Sequence, residues 1–173
     1  KTQDSSSAGR YSIWIANGTT AGAAVQHGTL SDARGNVSIG SGAGKLITSA
    51  DYNVFVGQEA GDAVTTGGTN TAVGAFAMSA ISTQTMVTAF GYSALQSATG
   101  AGNTAIGYAA MGSAATTGQE NVAVGKNSGR IVDSGQKNAF VGALSAYSWT
   151  SGQRSAALGY RAGYSHTTGS DNT

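Results

Sequence analysis

Residues 40–45, which read GSGAGK, come nearest in this sequence to a phosphate-binding loop, in which glycine backbone amides surround a phosphate group. The spacing departs from that motif at both ends. A glycine is required where Ile39 stands, and Leu46 occupies the position of the Ser or Thr that binds magnesium. We therefore interpret the loop as structural and expect no nucleotide site in it.

Other residue types that catalyse reactions or bind metals are few and scattered. The two histidines, His27 and His166, do not stand at metal-ligand spacing from other ligands, and there is no cysteine. Glu59 and Asp62 form the nearest local pair of carboxylates, and we interpret them as a solvated loop face rather than the acid pair of a glycosidase. We predict that the chain is not an enzyme and has no catalytic, cofactor-binding or metal-binding residues.

Four aromatic residues late in the sequence are candidates for contact with a receptor: Tyr147, Trp149, Tyr160 and Tyr164. Trp149 falls in a loop, and an exposed ring is the expectation there. Exposed aromatic rings stack on sugars or anchor a protein partner. The alternative, which we favour, is that these rings pack between subunits or cover the ends of coils.

The charge of the chain argues against two classes of partner. Only 10% of the residues are charged and the formal net charge is +1, which gives no electrostatic basis for binding nucleic acid or an anionic membrane. No apolar run approaches the roughly 20 residues that span a bilayer. We expect neither a nucleic-acid partner nor membrane insertion.

Apart from His27, these residues lie on an array in which a glycine returns every 16 to 18 residues. We name these the corner glycines: Gly40, Gly57, Gly74, Gly91, Gly107, Gly125, Gly142 and Gly159. Positions in each repeat are counted from its corner glycine, so that −4 is usually asparagine: Asn36, Asn53, Asn70, Asn103, Asn121 and Asn138. A fixed period of this length is typical of a solenoid, in which each repeat forms one coil.

Positions −4 to −1 predict a short strand that ends at the corner glycine, because they hold β-branched, alanine or aromatic residues between turn formers. In a strand, −3 and −1 share one face and −2 lies on the other. Position −1 is always large and apolar, so we expect the −3/−1 face to fill the coil. Position −2 is mostly alanine, which predicts close approach of a neighbouring subunit. Stacked asparagines at −4 predict an amide ladder, interrupted at Val87 and Ser155.

The array divides the chain into two parts. We assign residues 1–35 to an N-terminal lead and a divergent first coil, because residues 12–16 (SIWIA) are similar to residues 53–57 (NVFVG). Residues 36–173 form the repeat array. We expect Asn172 and Thr173 to open a further repeat, and the sequence to be a piece of a longer protein.

Residues 103–111, which read NTAIGYAAM, resemble the NTAIGYxAL repeat of bacteriophage tail-fibre and head-fibre proteins. Residues 121–128, which read NVAVGKNS, are similar to the SVAIG repeat in the heads of trimeric autotransporter adhesins. Those heads are parallel β-rolls in which three chains pack around one axis. The tyrosine that follows the glycine at Tyr92, Tyr108 and Tyr160 is closer to the phage version.

The residues and the resemblance together predict an all-β chain: a parallel β-roll or β-solenoid of about eight 17-residue coils, assembled as a homotrimer. The function that this implies is a structural segment of a tail or head fibre on the virion exterior. Its partners would be copies of itself, other virion proteins and a host-surface glycan or protein. Two alternatives stay open: the head of a trimeric adhesin on a bacterial cell surface, and a polysaccharide-degrading spike with sites between chains.

Overall fold

A computed structural model of the chain describes residues 12–15, 33–112 and 116–173. These residues form eleven strands and no helix. The strands are β1 (Ile13–Ile15), β2 (Val37–Ile39), β3 (Val54–Val56), β4 (Thr71–Val73), β5 (Thr88–Phe90), β6 (Thr104–Ile106), β7 (Val122–Val124), β8 (Ile131–Val132), β9 (Ala139–Val141), β10 (Ser148–Trp149) and β11 (Ala156–Leu158).

Nine of these strands stack in chain order into one main sheet in which every pair is parallel, and β8 and β10 form a small second sheet. Each strand pairs with the equivalent residues of the next coil, so that Thr88 faces Thr104 and Phe90 faces Ile106. Between β2 and β11 the chain makes about seven turns of a solenoid. The predicted all-β class and parallel β-solenoid are therefore confirmed.

The main sheet presents the opposite face to the coil interior from the one predicted. The residues at −2 are all buried: Ser38, Phe55, Ala72, Ala89, Ala105, Ala123, Phe140 and Ala157. Those at −3 and −1 point outward and are half-buried or exposed. The prediction that the bulky −1 residues fill the coil is wrong, and so is the placement of a neighbouring subunit against the −2 alanines. The coil is too narrow for a large side chain at every level, because positions +3, +4 and +7 point into the same space.

The interior is filled by a compensation between positions −2 and +4. Phe55 at −2 has glycine neighbours at +4, since a methyl group on Gly61 would lie 2.6 Å from the Phe55 ring and one on Gly44 would lie 3.0 Å from it. Three of the coils with alanine at −2 instead carry a large buried residue at +4: Met78, Leu95 and Met111. Close packing of this kind leaves few voids, so in these coils the side chains at −2 and +4 share one volume.

The predicted amide ladder is present. The Oδ1 atom of each asparagine at −4 accepts a hydrogen bond of 2.9 to 3.1 Å from the backbone N–H of the next −4 residue. Its Nδ2 donates to a loop carbonyl 14 or 15 residues further along the chain. The ladder is interrupted at Val87, as predicted, because valine has no acceptor. The predicted interruption at Ser155 is wrong: the Ser155 hydroxyl accepts the backbone N–H of Asn172 at 3.0 Å.

Strand β1 extends the same pattern. Its three residues pair in parallel with β2, and the Ser12 hydroxyl accepts the backbone N–H of Asn36 at 3.1 Å, in the place that an asparagine takes in later coils. Residues 1–11 and 16–32 of the predicted lead and first coil lie outside the described residues.

Candidate functional site

The outer sheet face, formed by positions −3 and −1 of the nine strands of the main sheet, is a continuous surface of half-buried and exposed side chains. It contains only valine, isoleucine, leucine, phenylalanine, threonine and alanine. Large side chains on it are well exposed, among them Phe90 at 55%, Ile106 at 41% and Leu158 at 71%. With strands about 4.8 Å apart, this face runs for about 40 Å along the rod.

An uncharged face of this length is unusual for a sheet in water. Sheets with one solvated face normally place polar residues on it, and contiguous apolar patches larger than a few hundred Å² mark interaction sites. The outer sheet face carries no charged residue on any of its nine strands, although the loops beside it carry Lys126, Lys137 and Arg154. The charge is therefore kept off this one surface.

A row of aromatic rings follows the rod just beyond the corner glycines. Tyr92 and Tyr108 stack with ring centroids 5.4 Å apart, Phe76 meets Tyr92 edge-on at 5.6 Å, and the Lys126 ammonium lies 5.9 Å from the Tyr108 ring. Sequence reasoning did not include this row among the receptor candidates. Its signal was the tyrosine at +1 in successive repeats, which stacking in register brings into one row.

The four aromatic candidates for receptor contact do not form one exposed cluster. Tyr160 is exposed, and Tyr147 and Tyr164 are half-buried and stacked on each other with centroids 5.1 Å apart. The Arg161 guanidinium lies 4.4 Å from the Tyr164 ring. These three tyrosines remain available to a partner at their outer edges.

Trp149 is buried, with 2% of its surface exposed, so the expectation of an exposed ring is wrong. Position +7 proves to be an interior row, whose other buried members include Ile47, Val64, Ile81, Ala98 and Val132. The Trp149 indole N–H donates to the Gly152 carbonyl at 3.2 Å, and the ring stacks on His166 with centroids 4.5 Å apart. Trp149 therefore acts as a core residue of the last coils.

The residues first examined for chemistry take structural places. Within residues 40–45, Gly44 is buried against Ser38 and Phe55 in the coil interior. His27 lies outside the described residues. No group of three or more His, Asp or Glu side chains in the described part of the chain is placed to hold a metal ion, and no helix there could cross a membrane.

Among the described residues, Asp62 is the one carboxyl group whose pKa is raised. Burial is the main cause, and the nearby charge of Glu59 adds to it, while Lys45 acts in the opposite direction. The Asp62 Oδ1 atom is buried without a hydrogen-bond partner. The pair Glu59 and Asp62 thus differs from the solvated loop face that was predicted, because one of its two carboxyl groups is partly withdrawn from water.

Comparison of the chain with models of protein families, with curated proteins and with solved structures gave no match. The resemblance to phage fibres and adhesin heads therefore remains a prediction from the repeat.

Proposed function

We propose that this chain is a structural segment of a virion fibre, built as a homotrimer in which the outer sheet faces of three copies meet. The observation that carries the proposal is the uncharged outer sheet face along the whole described rod. On a single copy, the exposure of its apolar side chains to water would be unfavourable, whereas contact between copies removes them from water.

A three-fold arrangement suits this face because a flat apolar strip on each copy can turn toward a common axis. The loops of every coil then remain on the outside, where a fibre meets its surroundings. Closed cyclic assemblies of identical chains are the usual way in which such a surface is covered without open-ended growth. The NTAIGY-type repeat supports the same choice by its resemblance to fibre proteins.

The rod supplies mechanical stability and display rather than catalysis. Its coils are joined by backbone hydrogen bonds in the strands, in the turns after the corners and in the loops, for example Gly61 N–H to Ala77 O at 2.9 Å. The proposed outward partners are a host-surface glycan or protein, which the exposed Tyr160 and the Tyr92–Tyr108 row could contact, and other virion proteins. The location that follows is the virion exterior.

Immunogold electron microscopy on the biological source tests this proposal, with antibodies raised against the purified chain. We expect gold on external fibres of purified virions. Label on the bacterial envelope with none on virions would contradict it and support the adhesin alternative. Release of oligosaccharides from host capsule by the purified assembly would instead support the polysaccharide-degrading spike.

A further inference from the structure

The C-terminal end of the rod is formed by β11 and the coil that starts at Gly159. These residues are arranged like those of an interior coil, but no further coil is stacked on them. A methyl group on Gly159 would meet nothing within 4 Å, whereas the other seven corner glycines face the backbone of the next corner. An open cavity of about 400 Å³ lies on this end, with Trp149, Gly163 and His166 among its walls.

The position and direction of a covering coil are already set by hydrogen bonds. The backbone N–H of Ala156 donates to the carbonyl of Asn172 at 2.8 Å, as Val37 does to Asn53 at the other end of the array. Asn172 thus takes position −4 of the next level, and its own N–H is bound by the Ser155 hydroxyl. A strand added here would run parallel to β11 in the register of the other coils.

Two interior coils indicate the size of the −2 side chain that would fit over this end. Gly44 and Gly129 each stand at +4 in a coil whose −2 residue is small, and each is covered by a phenylalanine at −2 of the following coil. A methyl on Gly129 would lie 3.1 Å from Phe140 above it and 3.3 Å from Met111 below it.

Gly163 repeats the lower half of this arrangement. It stands at +4, its own coil has Ala157 at −2, and a methyl on it would lie 3.3 Å from Trp149 in the coil below. No contact from above is present, and the cavity occupies that place. Gly61 does not follow the pattern, because Phe55 of its own coil fills its space.

We propose that this end is a docking surface for one further coil of the same repeat type, and that the coil places an aromatic side chain at its −2 position, over Gly163 and Trp149. The proposal does not depend on the virion assignment. The aromatic ring is specified because Gly44 and Gly129, the two interior equivalents of Gly163, are both covered by phenylalanine.

The test extends the full chain after Thr173 by one coil copied from residues 141–157, preceded by a single variable residue that falls at −2. Three versions carry Phe, Ala or Lys there. We expect the Phe version to melt about 5 °C above the Ala version, and the Lys version to melt below both. Hydrogen exchange of the β11 amides should slow about tenfold or more in the Phe version only. Equal melting and equal exchange for Phe and Ala would overturn the proposal.

A second variant distinguishes a wrong prediction of the −2 residue from an added coil that does not fold. Gly163→Leu fills the cavity from below, in a backbone conformation that Leu95 already adopts (φ 48° against 60° at Gly163). In that background the Ala version should become at least as stable as the Phe version; continued preference for Phe would overturn the proposal. Head-to-tail polymerisation of the unextended chain, or protection of β11 by added glycans alone, would assign the end to a different occupant and also overturn it.

Discussion

At the residue scale, the corner glycine does more than permit a turn. Each has a positive φ, and in seven of the eight a side chain would collide with the backbone of the next corner. Gly107, with φ 134°, would place a methyl 2.6 Å from the Gly125 carbonyl oxygen. The glycine therefore sets both the bend of the coil and the distance between coils.

Gly107 and Gly159 separate these two roles. Gly107→Ala adds a steric collision to the cost of a positive φ, and we expect it to lower the free energy of unfolding by about 3 kcal/mol or more. Gly159→Ala incurs only the backbone cost, about 1–3 kcal/mol, because the space beside it is open. Denaturant unfolding of the two variants at one protein concentration measures the difference. Equal losses would show that close stacking is not what requires glycine at the corner.

The raised pKa of Asp62 makes stability depend on pH. Because the folded state keeps the proton to a higher pH than the unfolded state, stability is lost as pH rises from the unfolded pKa near 3.8 through the raised folded value. Asp62→Asn removes this loss. We expect it to raise the melting temperature over the wild type at pH 7 and to make no difference at about pH 3.

Exposed Asp133→Asn is the control for the loss of one negative charge in the Asp62 experiment. A gain from Asp62→Asn of the same size at pH 3 and pH 7 would contradict ionisation of Asp62 as the cause.

At the element scale, one coil is a strand, a glycine corner and a loop whose interior positions share a fixed volume. Two neighbouring coils solve this differently: one combines Phe55 with Gly61, and the next combines Ala72 with Met78. Met78 has φ 56°, so its position tolerates the left-handed backbone that Gly61 adopts at φ 60°.

A double-mutant cycle on Phe55→Ala and Gly61→Met tests this compensation. Phe55→Ala alone leaves a cavity, and we expect it to cost about 3–5 kcal/mol of unfolding free energy. Gly61→Met alone collides with the Phe55 ring, 2.6 Å from its first side-chain carbon. In the double variant the new methionine occupies the vacated space, so a favourable coupling of about 1–3 kcal/mol is expected. Additive losses would contradict a shared volume.

The elements that depend on local pattern could be predicted from the sequence. The strand before each corner, the stacked asparagines and the parallel arrangement follow from residue types at a fixed period, and Asn121 and Gly125 take their predicted places. Which face of the strand points into the coil could not be predicted. A three-residue strand does not indicate on which of its faces the coil closes. The large apolar residues at −1 have the composition expected of a core. The useful signal was that Phe55 at −2 is paired with glycine at +4, whereas Ala72, Ala89 and Ala105 at −2 are each paired with a large residue at +4.

The candidate surface was less predictable than the fold for the same reason. Once −1 points outward, residues such as Phe90 and Ile106 change from core to surface, while Trp149 changes from loop to core. The Tyr92–Tyr108 row depends on coils stacking in register, which brings residues 16 apart into contact. Both the outward direction of position −1 and the stacking of the tyrosines depend on the three-dimensional path of the coil, which the sequence pattern does not specify.

At the scale of the whole molecule, the described rod separates its surfaces by charge. The outer sheet face carries no charged residue along about 40 Å, and the exposed ion pair of Arg154 and Asp171, with Nε to Oδ1 at 2.7 Å, lies in the loops. Such an exposed pair contributes little to stability and is screened by salt. Because assembly through the outer sheet face does not depend on such ion pairs, it should persist at high ionic strength.

The central claim, that the outer sheet face is covered by copies of the same chain, is tested most directly by the solution mass of the protein from light scattering during gel filtration. The account predicts a trimer for the wild type in 1 M salt. It predicts a monomer for Phe90→Lys, which places a charge on that face, and a trimer for Thr66→Lys, which places one on an exposed loop. A wild-type monomer, or a trimer that survives Phe90→Lys unchanged, would contradict it.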